Sequence, residues 1–286
     1  MFSNNFLMMN GVYSAVYVVP PLDLYGSADL ALSLRKLRTA YAGSSIRVRR
    51  SSDNAEQDIG FVGINLDTDS LISFVGAGDG FVTTFYDQSG NGYNMTQSSA
   101  TSQPQIVASG IVNTQNGKPS MLFDGTNDYL AISSQRFSQS TMSAFYVTRN
   151  LSPYPYGGII TSKKAGFDDS SAIDWEGGGK LDSIYRDPYN VLQTAVQNAL
   201  FIGNTLFQGV GLGNLGAWTN NVSDGTEEIP SAALNASSVT WMGTYRTNET
   251  ANSGKFYLAE FFNYFSNQSS NRVAINSNIN SYYATY

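Results

Sequence analysis

The sequence predicts an all-β fold, an antiparallel sandwich with two short helices, and three observations predict it. Eleven short runs rich in β-branched and aromatic residues follow one another: SIRVRR, GFVTTFYD, PQIVASGIV, PSMLFDG, YLAIS, TMSAFYVTR, YGGIITS, LDSIYRD, LFIGNTLFQGVGLG, SSVTWMGTYR and GKFYLAEFFNYF. Clusters of Gly, Asn, Asp and Ser separate them without intervening helical periodicity, the pattern of strands joined by turns. No spacing of ~30 residues suits a strand–helix–strand crossover, which argues against a doubly wound parallel sheet.

The elements follow in chain order. MFSNNFLMMNGVYSAVYVVP has no basic leader and no long apolar core, so synthesis without a signal peptide is expected. Within it VYSAVYVV, residues 12–19, is dense in β-formers and suited to pairing with a sheet edge, and PPLDLYG reads as a hinge. Residues 1–26 are therefore expected to form an arm and residues 27–286 a single sandwich domain. Ser27 as N-cap, Asp29 in the first turn, Leu30, Leu34, Leu37 and Tyr41 at helical spacing and Gly43 as a stop predict a helix over 28–41. Ile275, Ile279 and Tyr282 predict a second helix near 270–283. Neither a linker nor a fixed-period repeat interrupts the domain.

Composition removes whole classes of chemistry. The formal net charge of -6 opposes nucleic-acid binding, which needs a basic surface. RKLRTAYAGSSIRVRR, residues 35–50, holds six of the sixteen basic residues, but Asp53, Glu56 and Asp58 follow at once, and pairing with them is the expectation. The chain has no cysteine, hence no disulfide and no thiolate chemistry. It has no histidine, which excludes Ser-His-Asp catalysis and leaves carboxylates, tyrosines and lysines as acid–base groups. No run approaches the ~20 apolar residues of a membrane span, and no cofactor is expected.

FYDQSGNGYNMTQ, residues 85–97, is the most distinctive stretch. Asp87, Ser89 and Asn91 place oxygen donors as at the start of a calcium loop, but Ser98 stands where such a loop needs a bidentate glutamate. The alternative is a rigid turn in which Gly90 and Gly92 take positive φ and Asp87 caps the backbone, leaving Tyr93 and Asn94 to touch a ligand. In FDGTNDYL, Asp124 and Asn127 are candidate loop ligands, with an Asx turn as the plain reading of Asp124 and Asp128. Trp175, Trp218 and Trp241 are candidate stacking platforms or core residues. Glu260 lies in so apolar a strand that a buried, paired carboxylate is expected. Sequons at Asn94, Asn221, Asn235, Asn248 and Asn267 carry little weight in so Asn-rich a chain.

YDQSGNG, the upstream LRKLRTAYAGSSIRVRRSSDNAEQDIGF and the downstream QPQIV and NGKPSMLFDGTNDYL together resemble the catalytic domain of fungal-type arabinofuranosidase B, and still more its relatives in phage virion proteins. The resemblance implies a concanavalin A-like jelly roll, akin to laminin G-like and lectin domains, with sugars lying across the concave sheet or its loops. It also places Gly203 of GNTLFQG at the family's nucleophilic glutamate. Thr247, counted back from Phe256–Tyr257, falls at its acid/base aspartate. The family's adjacent cysteines are missing as well. Retaining glycoside hydrolysis needs two carboxyl groups, so no catalytic residue is assigned, although a shifted pair such as Glu249 with Asp174 or Glu176 keeps an enzymatic alternative open.

Three functions follow from the resemblance. The first is a non-enzymatic virion surface protein, in capsid decoration, head fibre or tail fibre, whose arm grips virion proteins while the sandwich meets glycans through Asp87, Tyr93, Asn94, Asp124, Asn127 and Trp175. The second is an arabinofuranosidase-type glycoside hydrolase. The third is a purely structural surface protein. The expected location is the virion surface, with a homo-oligomer compatible with each and no membrane insertion.

Overall fold

The computed structural model describes residues 18–134, 136, 143–151, 157–163, 171–176, 180–186, 192–196, 205–210, 213–219, 222–229, 239–244, 254–266, 268 and 270–284; residues 150, 157, 162–163 and the strands between 171 and 229 are described by backbone alone. Nineteen strands form one continuous hydrogen-bonded network. One layer runs from Glu56–Ile59 through Ile46–Arg50, Gly80–Phe85, Met95–Thr96, Leu130–Ile132 and Val239–Met242 to Gly157–Lys163, and onward through the strands between 171 and 196. The other runs from Gln105–Ala108 through Met121–Asp124, Lys255–Tyr264 and Ser143–Asn150 to the strands between 205 and 229. Gly80–Phe85 pairs with both Met95–Thr96 and Gln105–Ala108 and so joins the layers. Every pairing is antiparallel, as the expected sandwich requires.

Strand alternation fills the space between the layers. Val48, Val82, Met95, Leu130 and Met242 from the first meet Ile106, Met121, Phe123, Phe256, Leu258 and Phe261 from the second. Each such side chain contributes about 1.5–3 kcal/mol by leaving water. Phe123 and Phe256, directly opposite on neighbouring strands, stack at 4.7 Å with planes 8° apart.

A second core lies on the outer face of the second layer. Among the described residues the α-helices are α1 (Pro21–Leu24), α2 (Thr68–Val75) and α3 (Arg272–Tyr283), and α1 and α3 cover that face. Leu22, Ile275, Ile279, Tyr282 and Tyr283 pack there on Ala31, Phe145, Val147, Phe262 and Tyr264. The central strands are thus buried on both faces, which is why Leu30–Ser33 is buried at every position.

One irregularity makes this double burial workable. Alternation from Phe256 and Leu258 would aim position 260 into the core between the layers. Thr148 opposes Leu258 whereas Val147 opposes Glu260, so Ala259 is an extra residue. This bulge turns Glu260 to the helix side. There Arg35 grips it with two hydrogen bonds, Nε to Oε2 at 2.7 Å and Nη2 to Oε1 at 2.9 Å. The Ser33 and Tyr283 hydroxyls donate to Oε2 at 2.8 and 3.2 Å. Arg35 Nη1 reaches Asn278 Oδ1 of α3, and the guanidinium lies 5.0 Å from the Tyr282 ring centroid. Both side chains of the pair are essentially out of solvent, 1% and 0% exposed. Burial, with the Glu260 charge adding to it, holds the Tyr283 phenol well above its ordinary pKa.

Several expectations change. The helix expected over 28–41 is absent: Leu30–Ser33 is a strand paired with residues 260–263, and bridges and turns follow. Leu30, Leu34 and Leu37 do recur at helical spacing, but Leu30 faces one core and Leu37 the other. Tertiary pairing overrides the local period. The helix that does form, α2, has Asp67 as N-cap to the Ser70 N–H, Leu71 and Val75 buried one turn apart, and Gly76 at φ 69° as its stop. At eight residues it is too short for the period to stand out. The closing helix lies where expected. The PPLDLYG segment is no free hinge, since Pro20, Pro21 and Leu22 are buried and the Leu22 N–H donates to the Leu37 carbonyl. The basic segment is paired as expected, Arg47 with Glu56 and Asp58 and Arg50 with Asp53.

Glu260→Gln leaves a guanidinium buried beside a neutral amide and is expected to cost about 3–5 kcal/mol in urea unfolding. The double variant Arg35→Met/Glu260→Leu should cost less than that single change. A single variant within 1 kcal/mol of wild type would show that the pair does not hold the layers and α3 together.

Candidate functional site

The 85–97 stretch folds as a turn whose polar groups point inward. Asp87 is 4% exposed. Its Oδ1 accepts from the Ala31 and Ser89 N–H groups, both at 2.9 Å, and its Oδ2 from the Ser89 hydroxyl at 2.7 Å and the Tyr93 N–H at 3.0 Å. Gln88, fully buried, donates from Nε2 to the Ser33 and Arg35 carbonyls and accepts the Leu37 N–H at Oε1. The turn therefore fastens the irregular segment 31–37, whose backbone groups have no helix to satisfy them. Gly90 and Gly92 supply the positive φ of 97° and 78°.

This wiring corrects two readings. Asp87 builds the turn instead of facing a sugar. The calcium donor set Asp87, Ser89 and Asn91 is engaged internally, Ser89 with Asp87 and Asn91, and the Asn91 Nδ2 with the Asp29 carbonyl. Tyr93 is half-buried and Asn94 is exposed, with its Oδ1 accepting the Asp87 N–H.

Beside the turn sits a pair that the sequence gives no way to connect. Arg136 Nη1 donates to Asp29 Oδ1 at 3.1 Å, and the guanidinium stacks over the Tyr93 ring at 3.8 Å. Burial pushes the Asp29 carboxyl up to about 6; Arg136 opposes that rise and the Asp87 charge adds to it. With the partners 107 positions apart in the chain, no local pattern marks them.

The second candidate loop lies at the other end of the sandwich. Asp124 opposes Lys255, whereas the Asp29 N–H donates to the Asn263 carbonyl. Along one strand that is a separation of about 26 Å. Asp124 Oδ1 accepts from the Thr126 and Asn127 N–H groups, the Asx turn of the plain reading, and Asp128 Oδ2 accepts the Asp124 N–H. Burial pushes Asp128 up to about 7; the hydrogen bond from the Asp124 N–H opposes that rise, and the Asp124 charge adds a smaller push. The Trp175 backbone opposes Gly157, and the register through Ile160, Met242 and Leu130 carries it toward this same end. The six expected contact residues thus fall into two groups and form no single pocket. Gly203, Thr247 and Glu249 lie outside the described residues. Among the described residues, two open depressions of about 590 and 550 Å³ flank α2 and share Asp69 and Ser73.

Residues 21–138 match the family described as α-L-arabinofuranosidase B, catalytic. No curated protein sequence matches. Among solved structures, a mutant GH54 α-L-arabinofuranosidase soaked with 4-nitrophenyl α-L-arabinofuranoside aligns over 94% of this chain and 66% of its own, at 14% identity and TM-score 0.62. An arabinofuranosidase complexed with arabinofuranosyl-α-1,2-xylobiose aligns over 91% and 63%, at 14% identity and TM-score 0.61. The binding domain of Paraclostridial mosquitocidal protein 1 aligns over 69% and 49%, at 13% identity and TM-score 0.53. The chain spans about two thirds of the length of the arabinofuranosidases it resembles. The fold is therefore the sandwich of those proteins, as the resemblance in sequence implies.

Asp128 yields a pH prediction. A carboxyl raised from 3.8 to about 7 by folding favours the folded state only while protonated, so its contribution is complete below the lower value and lost as pH rises through the upper one. Asp128→Asn keeps an acceptor for the Asp124 N–H and cannot ionise. It should melt above wild type at pH 8 and with it at pH 4; the reverse order would contradict the burial account.

Proposed function

We propose that the protein is a non-enzymatic virion surface component of the phage type, tethered by its N-terminal arm and presenting a carbohydrate-binding sandwich. The observation that carries the reading is the extent of the likeness: one sandwich, 94% of this chain, superposes on proteins whose ligands are arabinofuranosides. The internal use of the available acids supports binding over turnover. Asp87, Glu260 and Asp128 are buried in structural hydrogen bonds, and Asp29 is paired with Arg136. Gly203 and Thr247 at the aligned catalytic positions argue the same way, since neither can attack or protonate a glycosidic bond.

Asn278 Nδ2 donates to the Val19 carbonyl, and Pro20, Pro21 and Leu22 are buried, so these residues of the expected 1–26 arm are held by the domain and the tether proposed here lies upstream of them. Its VYSAVYVV run suits strand addition to a particle protein. Weak single contacts suffice on a particle surface, because many linked copies raise avidity by about 10² or more.

Deleting residues 1–17 should leave the melting temperature unchanged and abolish co-sedimentation with particles of the parent phage. Normal incorporation of the truncated chain, or its absence from purified particles, would defeat the virion reading. Purified protein should release no nitrophenol from 4-nitrophenyl α-L-arabinofuranoside; turnover abolished by Glu249→Gln or Glu176→Gln would establish the enzymatic alternative.

A further inference from the structure

Register places a row of side chains across the first layer, on the face turned away from the core. Arg47 opposes Thr84, Thr84 opposes Thr96, Thr96 opposes Ala131, and Ala131 opposes Trp241. Opposed residues share a face, and their strand neighbours Val48, Phe85, Met95, Leu130 and Met242 all point the other way, into the core. Five strands at ~4.8 Å make the row about 19 Å long.

The row is small in the middle and large at its ends. Thr96 is exposed, and Thr84 and Ala131 are half-buried. At one end Trp241 meets Tyr129, two residues from Ala131 and so on the same face, with ring centroids 4.9 Å apart and planes tilted 45°. At the other end Arg47 is paired with Glu56 and Asp58, and Tyr86 donates to Asp58 at 2.8 Å. The charges there balance within one unit, which disfavours a polyanion. Among the described residues the buried Trp241 indole N–H has no hydrogen-bond partner, although such groups normally find one.

We propose that this face is the carbohydrate-contact surface, holding an extended neutral polysaccharide across the strands; the inference rests on the glycan-binding reading above. An aromatic pair, a floor of small side chains including two hydroxyls, and a hydrogen-bonded Arg–Asp–Tyr group supply what a sugar chain needs. Rings stack against its C–H faces, the hydroxyls of Thr84 and Thr96 both donate and accept, and among the described residues the row itself holds nothing larger than threonine between its two ends. A row with no enclosing wall among the described residues suits a polymer that enters and leaves at both ends rather than a compact ligand, for which a pocket would be expected. Tyr93 and Asn94 then lie at the margin of the contact: Asn94 precedes Thr96 by two residues.

The test is affinity electrophoresis of the full chain through gels containing arabinoxylan, dextran or mannan. At least one polymer should retard the wild type. Thr96→Arg, which fills the floor from an exposed position, and Tyr129→Ala, which removes one ring, should each weaken that retardation about tenfold or more. Asn127→Ala, at the far loop, should leave it unchanged. Circular dichroism and melting of each variant show whether the fold is retained, and two variants on different strands guard against one failing to fold. Wild-type retardation that survives both floor and ring changes overturns the inference while leaving glycan binding in place. Wild-type mobility equal in all three gels overturns the glycan-binding reading and the inference with it.

Discussion

The buried Arg35–Glu260 pair is the constraint on which the rest of the structure depends. Glu260 belongs to a central strand that contacts both cores, Arg35 to the segment after the first described strand, and Ser33, Asn278 and Tyr283 complete the shell. A charge in that position is tolerable only with its partner and its hydrogen bonds in place. The Ala259 bulge is what makes this possible, because it turns the carboxylate away from a wholly apolar interior. The same Asn278 that receives Arg35 also donates to the Val19 carbonyl, so the first described residues are joined to the pair through one side chain.

The Asp87–Gln88 turn does the complementary work. Segment 31–37 leaves its strand before it has satisfied its own backbone, and Asp87 and Gln88 supply the missing partners from a sequence distance of about fifty residues. What looks from sequence like a ligand loop is a latch. Together the latch and the ion pair hold Asp87 and Glu260 in buried structural hydrogen bonds.

Much of this was legible in the sequence, and the failures have physical causes. The alternating runs and turn clusters specify the antiparallel sandwich because period-two patterning survives burial on one face. Glu260 announced itself as buried and paired, since no other fate suits an acid in FYLAEFF. Leu30, Leu34 and Leu37 misled because a strand covered on both faces carries no alternation, and an apolar run of that kind also fits a helix. Asp29 with Arg136, and the row from Arg47 to Trp241, were invisible because register between distant strands creates them. Each member is an ordinary residue in its own strand. The bulge that redirects Glu260 is equally silent, since its extra residue is an alanine.

The proposed contact with a sugar chain is the point on which the account turns. The most direct measurement is an amide and indole chemical-shift titration of the full chain with arabinoxylan oligosaccharides. Perturbations should concentrate on Thr84, Thr96, Ala131 and Tyr129 and on the Trp241 indole N–H, with Asp124–Asp128 and the Asp69–Ser73 surface of α2 unmoved. Shifts confined to either of those surfaces, or none at saturating ligand, would contradict it.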